Sequence, residues 1–182
     1  MHQALTDDEA KARFPAKSGV ALSLGSSFRG YYAHCGFLAE FSKSGIVPDR
    51  LAGASSGALA GLLYANDMRG DALVDFILEK GLTRSFFDWG VLHRLPGIVS
   101  FLRGTGLFSG NGAVKHLKGR LGELRLEAFE QPKLEIALTD LNASRSLILS
   151  EGDAIELAVA SCAVPGLFRA RPVGNALFWD GG

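Results

Sequence analysis

A net charge of either sign is missing from this sequence: 19 basic residues balance 19 acidic ones over 182 positions. That balance removes the electrostatic case for a nucleic-acid partner, because phosphates select strongly basic surfaces. Cysteine is nearly absent. The two present, Cys35 and Cys162, cannot build a disulfide framework, and no Cys/His cluster has metal-ligand spacing. No metal and no cofactor is therefore expected, and each cysteine reads as a small buried hydrophobe in an apolar helical stretch. Long apolar runs are missing too. None reaches the ~18 residues that a membrane span requires, and the polar leader 1–18 lacks the apolar core of a signal peptide. The cytoplasm is the expected compartment, with peripheral contact at a membrane surface left open.

What the chain does have is glycine, at 23 residues, together with 47% hydrophobic and 21% charged residues. This is the balance of one globular domain with an ordinary core. Residues 19–24 read as a buried strand, followed by the turn-like run Gly25-Ser26-Ser27-Phe28-Arg29-Gly30. Tyr31 to Lys43 has helical spacing, Arg50 to Ala54 reads as a strand, and Ser56 to Tyr64 as a small-residue helix. Asp71 to Lys80 follows as a helix with Gly81 as its stop. Asn111 to Leu121 reads as a short basic helix, and 133–141 and 146–150 as strands. Asp153 with Glu156 has the pattern of a capping box for the helix that ends before Pro165. Two short strands around Gly174-Asn175 close the chain. Early alternation of strands and helices predicts parallel βαβ units. The expected fold is a three-layer α/β/α domain over 19–182, with a mostly parallel sheet and helices on both faces. The stop directly after Asp180-Gly181-Gly182 reads as a truncation at the C-terminal side.

Gly53-Ala54-Ser55-Ser56-Gly57 matches G-x-S-x-G between a strand and a helix. The pattern by itself is weak, but this context is that of a nucleophile elbow, with an exposed serine hydroxyl at a helix N-terminus. Free amides and the helix dipole there favour developing negative charge. Ser56 beside it reads as a cap or packing residue. A serine nucleophile needs a base, and chain order narrows the choice. Histidine occurs four times, as His2, His34, His93 and His116, and none follows Asp140, Asp153 or Asp180. A triad in the order Ser…Asp/Glu…His cannot be completed. Ser55 either works with a carboxylate directly or is not catalytic.

Four landmarks in order, the Gly25–Gly30 run, Gly53–Gly57, Ala160-Ser161-Cys162-Ala163-Val164-Pro165 and Asp180-Gly181-Gly182, resemble the patatin-like phospholipase family. The resemblance implies that Ser55 is the nucleophile and Asp180 of the D-G-G motif its base. It also implies that Gly25, Ser26, Ser27, Phe28, Arg29 and Gly30 supply the oxyanion hole. Ser26 and Ser27 stand where the family's run usually has glycine, which removes easy access to positive φ. Ser161 and Pro165 read as helix end and packing. The implied function is a serine esterase, a lipid acyl hydrolase acting on phospholipids or related lipid esters. Two other functions of the same fold stay open at this stage: a non-catalytic lipid-binding or regulatory module, and an acyltransferase. Residues 84–103, where Phe86, Phe87 and Trp89 interleave with Arg84, Arg94 and Arg103, have the composition of a lipid-facing cap, and equally of a cover for the core. No motif fixes an oligomeric state.

Overall fold

The computed structural model describes residues 19–27, 30–87 and 106–182. Strand β1 (Ala21–Leu24), helix α1 (Tyr31–Ser42), β2 (Arg50–Ala54) and α2 (Ser56–Ala65) alternate as the sequence predicts. A helical crossover returns the chain in the same direction, so β1 and β2 pair in parallel, Leu24 opposite Gly53. β3 (Lys133–Asp140) adds in parallel on the far side of β2, Ala54 opposite Ala137. Its buried residues alternate, Leu134, Ile136 and Leu138, which is the period of a strand with one face on the core. Against that face lies α2, buried from Ser56 through Tyr64. Small residues make the close approach feasible: Gly61 leaves room for Leu51, and a Cβ there would lie 2.5 Å from Leu51 Cδ2.

The remaining strands run antiparallel, so the sheet is mixed. β4 (Arg145–Leu149) pairs with β3 from Ile136–Leu149 to Asp140–Arg145. β6 (Ala176–Trp179) pairs with β3 at Thr139 and Asp140, and β5 (Arg171–Val173) pairs with β6. Residues 136 and 137 of β3 bond β2 as well as β4, and 139 and 140 bond β6 as well as β4. A strand has two edges, so β2 and β6 share the edge opposite β4. β6 thus takes over that edge just beyond the point where β2 leaves it. The residues following β2 and β6 are thereby brought to one place.

The helix expected over 71–80 is two helices, α3 (Gly70–Leu78) and α4 (Lys80–Phe86). The break falls at Glu79, whose ψ of 122° is extended, and Gly81 lies inside α4 rather than ending α3. Gly81 faces the His116 ring of α5 (Asn111–Leu121), where a Cβ would lie 3.0 Å from Cε1. Its smallness serves helix approach, not termination. In α6 (Ala154–Ser161), Asp153 caps the N-terminus, accepting from the amides of Ile155 at 3.1 Å and Glu156 at 3.0 Å. Glu156 does not complete the box. Its carboxylate instead accepts from Nε and Nη2 of Arg171 at 2.8 and 2.7 Å. Arg171 is buried and also donates to the Ser109 carbonyl, which ties α6, β5 and the turn before α5 together. Among the described residues no helix is long and apolar enough to cross a membrane.

Candidate active site

Ser55 stands between β2 and α2 with φ 52° and ψ −120°. A non-glycine residue at positive φ costs on the order of 1–3 kcal/mol and needs surroundings that hold it there. Three features do so. A Cβ at Gly53 would lie 2.6 Å from Ala58 N and Cα, and one at Gly57 would collide with the Leu24 carbonyl. Both glycines are therefore required by closure of the turn against β1 and α2. The third is Ser161: its buried hydroxyl accepts the Ser55 amide at 2.8 Å and donates to the Ala137 carbonyl at 2.7 Å. Ser161 is thus more than the helix-end packing residue that the sequence suggests, and its place in the A-S-x-A-x-P stretch is the signal that marks it.

Asp180 follows β6 and is 8% exposed. Its amide donates to the Ala163 carbonyl at 3.0 Å. Oδ1 accepts the Gly182 amide at 2.8 Å and, more loosely, the Ser26 hydroxyl at 3.4 Å. Oδ2 is buried without a partner. Gly181 is pressed onto the Ala137 carbonyl and Gly182 onto Ser26, so neither position has room for a Cβ. No hydrogen bond joins the Ser55 hydroxyl to Asp180, but both side chains line one cavity of about 430 Å³. Catalytic hydrogen bonds often tighten only with substrate in place.

Ser26, Ser27, Ser55, Ser56, Asp180 and Gly182 form the polar end of that cavity. Leu59, Phe86, Phe87, Val164, Pro165 and Phe168 form an apolar wall. Phe87 meets Phe108 edge-on at 5.2 Å, and Phe86 meets Phe168 edge-on at 6.4 Å, so the aromatic wall is itself packed. Of the segment 84–103, Phe86 and Phe87 belong to this wall, while its residues from 88 onward lie outside the described residues. Tyr31 closes one side, hydrogen-bonded to the Thr83 hydroxyl at 2.6 Å; burial pushes its phenol up to about 12, so it stays neutral. Cys162 packs against the core as expected and also lines the cavity. Burial first, and then the Asp180 charge, push its thiol upward, which keeps it an un-ionised bystander.

Ser26 and Ser27 sit in the loop without strain. Positive φ among the described non-glycine residues occurs only at Ser55, Asp67 and Ser144, so the loop does not use the freedom that glycine would have offered. Gly30 is helical at φ −64°, and its amide is spent on the Ser27 carbonyl at 3.0 Å. Of the six loop residues, Phe28 and Arg29 lie outside the described residues, and Ser26 and Ser27 line the cavity. His34 Nε2 donates to the Gly25 carbonyl at 2.9 Å, which braces this loop from α1. No histidine is among the described residues lining the cavity. Nor do the described residues include a group of three or more His, Cys, Asp or Glu side chains placed to hold a metal ion.

Comparison with known proteins bears on the fold and the family. The fold is shared with a crystal structure of VipD from Legionella pneumophila, at a TM-score of 0.57 and 14% identity, over 89% of this chain and 45% of that one. Uncharacterized NTE family proteins of Mycobacterium bovis and Mycobacterium tuberculosis are each 28% identical over 172 residues. That match takes in 94% of this chain, which spans 45% of the length of those relatives. Residues 22–182, from β1 through the last glycine, match the family profile described as patatin-like phospholipase, and the chain therefore belongs to the patatin-like phospholipase family.

Proposed function

We propose that this chain is a serine lipid acyl hydrolase in which Ser55 and Asp180 act as a dyad on fatty-acyl esters of phospholipids or related lipids. The observation that carries the reading is the pairing, in one cavity, of a serine at φ 52° with a buried carboxylate oxygen lacking a partner, beside an apolar wall. In the first step the Ser55 oxygen bonds to the ester carbonyl carbon and its proton passes to Asp180. The carbonyl electron pair moves to oxygen, where the loop amides of Ser26 and Ser27 receive it. Collapse breaks the bond to the leaving alcohol, which takes the proton. Water then attacks the acyl-enzyme and gives its proton to Asp180; collapse breaks the bond to the Ser55 oxygen, which takes that proton as the fatty acid leaves. The aromatic wall suits an acyl chain, since apolar contact there removes it from water.

The test is hydrolysis of p-nitrophenyl esters of graded chain length by the wild type, Ser55→Ala and Asp180→Asn, together with fluorophosphonate labelling. Labelling lost in Ser55→Ala and turnover lost in both variants is the expected result. Equal turnover in wild type and Ser55→Ala ends the reading. Added acceptor alcohols should leave free fatty acid as the main product; acyl transfer to the alcohol would instead identify an acyltransferase.

A further inference from the structure

We propose that the Ser56 hydroxyl is a catalytic donor that stabilises the oxyanion formed on the substrate carbonyl during attack by Ser55, an inference that rests on the hydrolase reading above. Ser56 is 5% exposed, and its Oγ is buried without a hydrogen-bond partner. The cap that the sequence suggested is not made: Ser55 holds the N-cap position, Ser56 is the first residue of α2, and its Oγ bonds no backbone amide. A buried hydroxyl left unpaired destabilises the fold by its lost hydration, and an alanine of nearly the same shape would avoid that cost. Within the folded chain the group has no structural return to offset it.

Its position supplies a purpose. Ser56 lines the same cavity as Ser55 and Asp180, and its Oγ would lie only 3.2 Å from a Cβ placed on Gly30. The hydroxyl is therefore wedged between the elbow and the loop that carries Ser26 and Ser27. Two residues lining this cavity, Ser56 and Asp180, each carry a buried polar atom without a partner, Ser56 Oγ and Asp180 Oδ2. They differ in chemistry. An ionised carboxylate oxygen can only accept, which suits the proton leaving Ser55, whereas a hydroxyl can donate. The substrate carbonyl is the acceptor that attack converts into an anion. Ser56 is also the first residue of α2, where the positive end of the helix dipole favours that charge. A donor that gains strength as charge develops lowers the barrier, not merely the affinity.

The experiment compares wild type, Ser56→Ala and Ser56→Thr, measuring thermal midpoint, kcat and KM on a p-nitrophenyl ester. Ser56→Ala should keep or raise the thermal midpoint, because it removes an unpaired buried hydroxyl. Its kcat should fall by at least about tenfold, toward the ~10²–10³ typical of one lost oxyanion donor, with KM within about threefold. Ser56→Thr retains the hydroxyl and should recover most of the lost kcat. A merely structural hydroxyl gives the opposite split, a lower midpoint or failure to fold in Ser56→Ala, and that result overturns the proposal. So does unchanged kcat in a folded Ser56→Ala whose wild type shows Ser55-dependent turnover. If the wild type itself has no Ser55-dependent turnover, the hydrolase reading fails, and the role of Ser56 fails with it.

Discussion

The amide of Ser55 donates to the Ser161 hydroxyl at 2.8 Å, and the same oxygen donates onward to the Ala137 carbonyl at 2.7 Å. One buried atom on α6 thus ties the strained residue of the elbow to β3. Gly181 packs on that same carbonyl, so the elbow and the loop bearing Asp180 are referenced to one point of the sheet.

Ser161→Ala should leave a buried amide and a buried carbonyl unpaired, at a cost of about 1–3 kcal/mol. The urea midpoint should drop with little change in slope, and kcat should fall more than KM rises, because the orientation of the attacking oxygen is what loosens. An unaltered urea midpoint would show that the bridge holds nothing.

Gly57→Ala places a methyl group into the Leu24 backbone carbonyl, which cannot move away as a flexible side chain could. The loss should exceed the ~1–3 kcal/mol typical of overpacking and reach partial or complete unfolding, read by circular dichroism. Gly36, with open space around its Cα, is the internal control: Gly36→Ala in α1 should be neutral or stabilising by up to about 1 kcal/mol. Equal behaviour of the two variants would contradict the close approach of α2 to β1.

Turnover should require Asp180 and no histidine. Asp180→Asn keeps the shape of the side chain but removes the proton acceptor, and should cost ~10³-fold or more. His2, His34, His93 and His116 changed singly to Gln should each stay within about tenfold after correction for folded fraction. His34 should show the largest decrease of the four, because its ring donates to the Gly25 carbonyl behind the loop. A folded His→Gln variant as inactive as Ser55→Ala would falsify the dyad.

Burial pushes the Cys35 thiol from an ordinary value of 9.0 up to about 12. The unfolded thiol ionises first, so above pH 9 the unfolded state holds fewer protons than the folded one and stability falls as pH rises. The contribution is fully present below pH 9 and is lost between 9 and about 12, with a slope approaching ~1.4 kcal/mol per pH unit. Tyr31, raised to about 12, adds to the upper part of the same window. Denaturation midpoints of wild type and Cys35→Ala across this range should converge as pH increases. Parallel curves would show that the Cys35 thiol does not ionise differently in the two states.

What the sequence determined by itself is local. The alternation β1, α1, β2, α2 follows from hydrophobic spacing and from glycines at turns. The elbow follows from Gly53 and Gly57 flanking Ser55, since only glycine fits where the turn closes on neighbouring backbone. The Asp153 cap was equally legible, being three residues from the amide it binds. The partner of Glu156 was not: the local pattern pointed to its own helix start, and a buried Arg171 fifteen residues on won the carboxylate. Gly81 misled for the same reason, because its need for space comes from His116 on another helix. Only tertiary structure decided that β6 continues the edge of β3 that β2 leaves, which sets Asp180 beside Ser55 across most of the chain. Local preferences are written in adjacent side chains, whereas strand register and the unpaired hydroxyl of Ser56 depend on which distant surfaces meet.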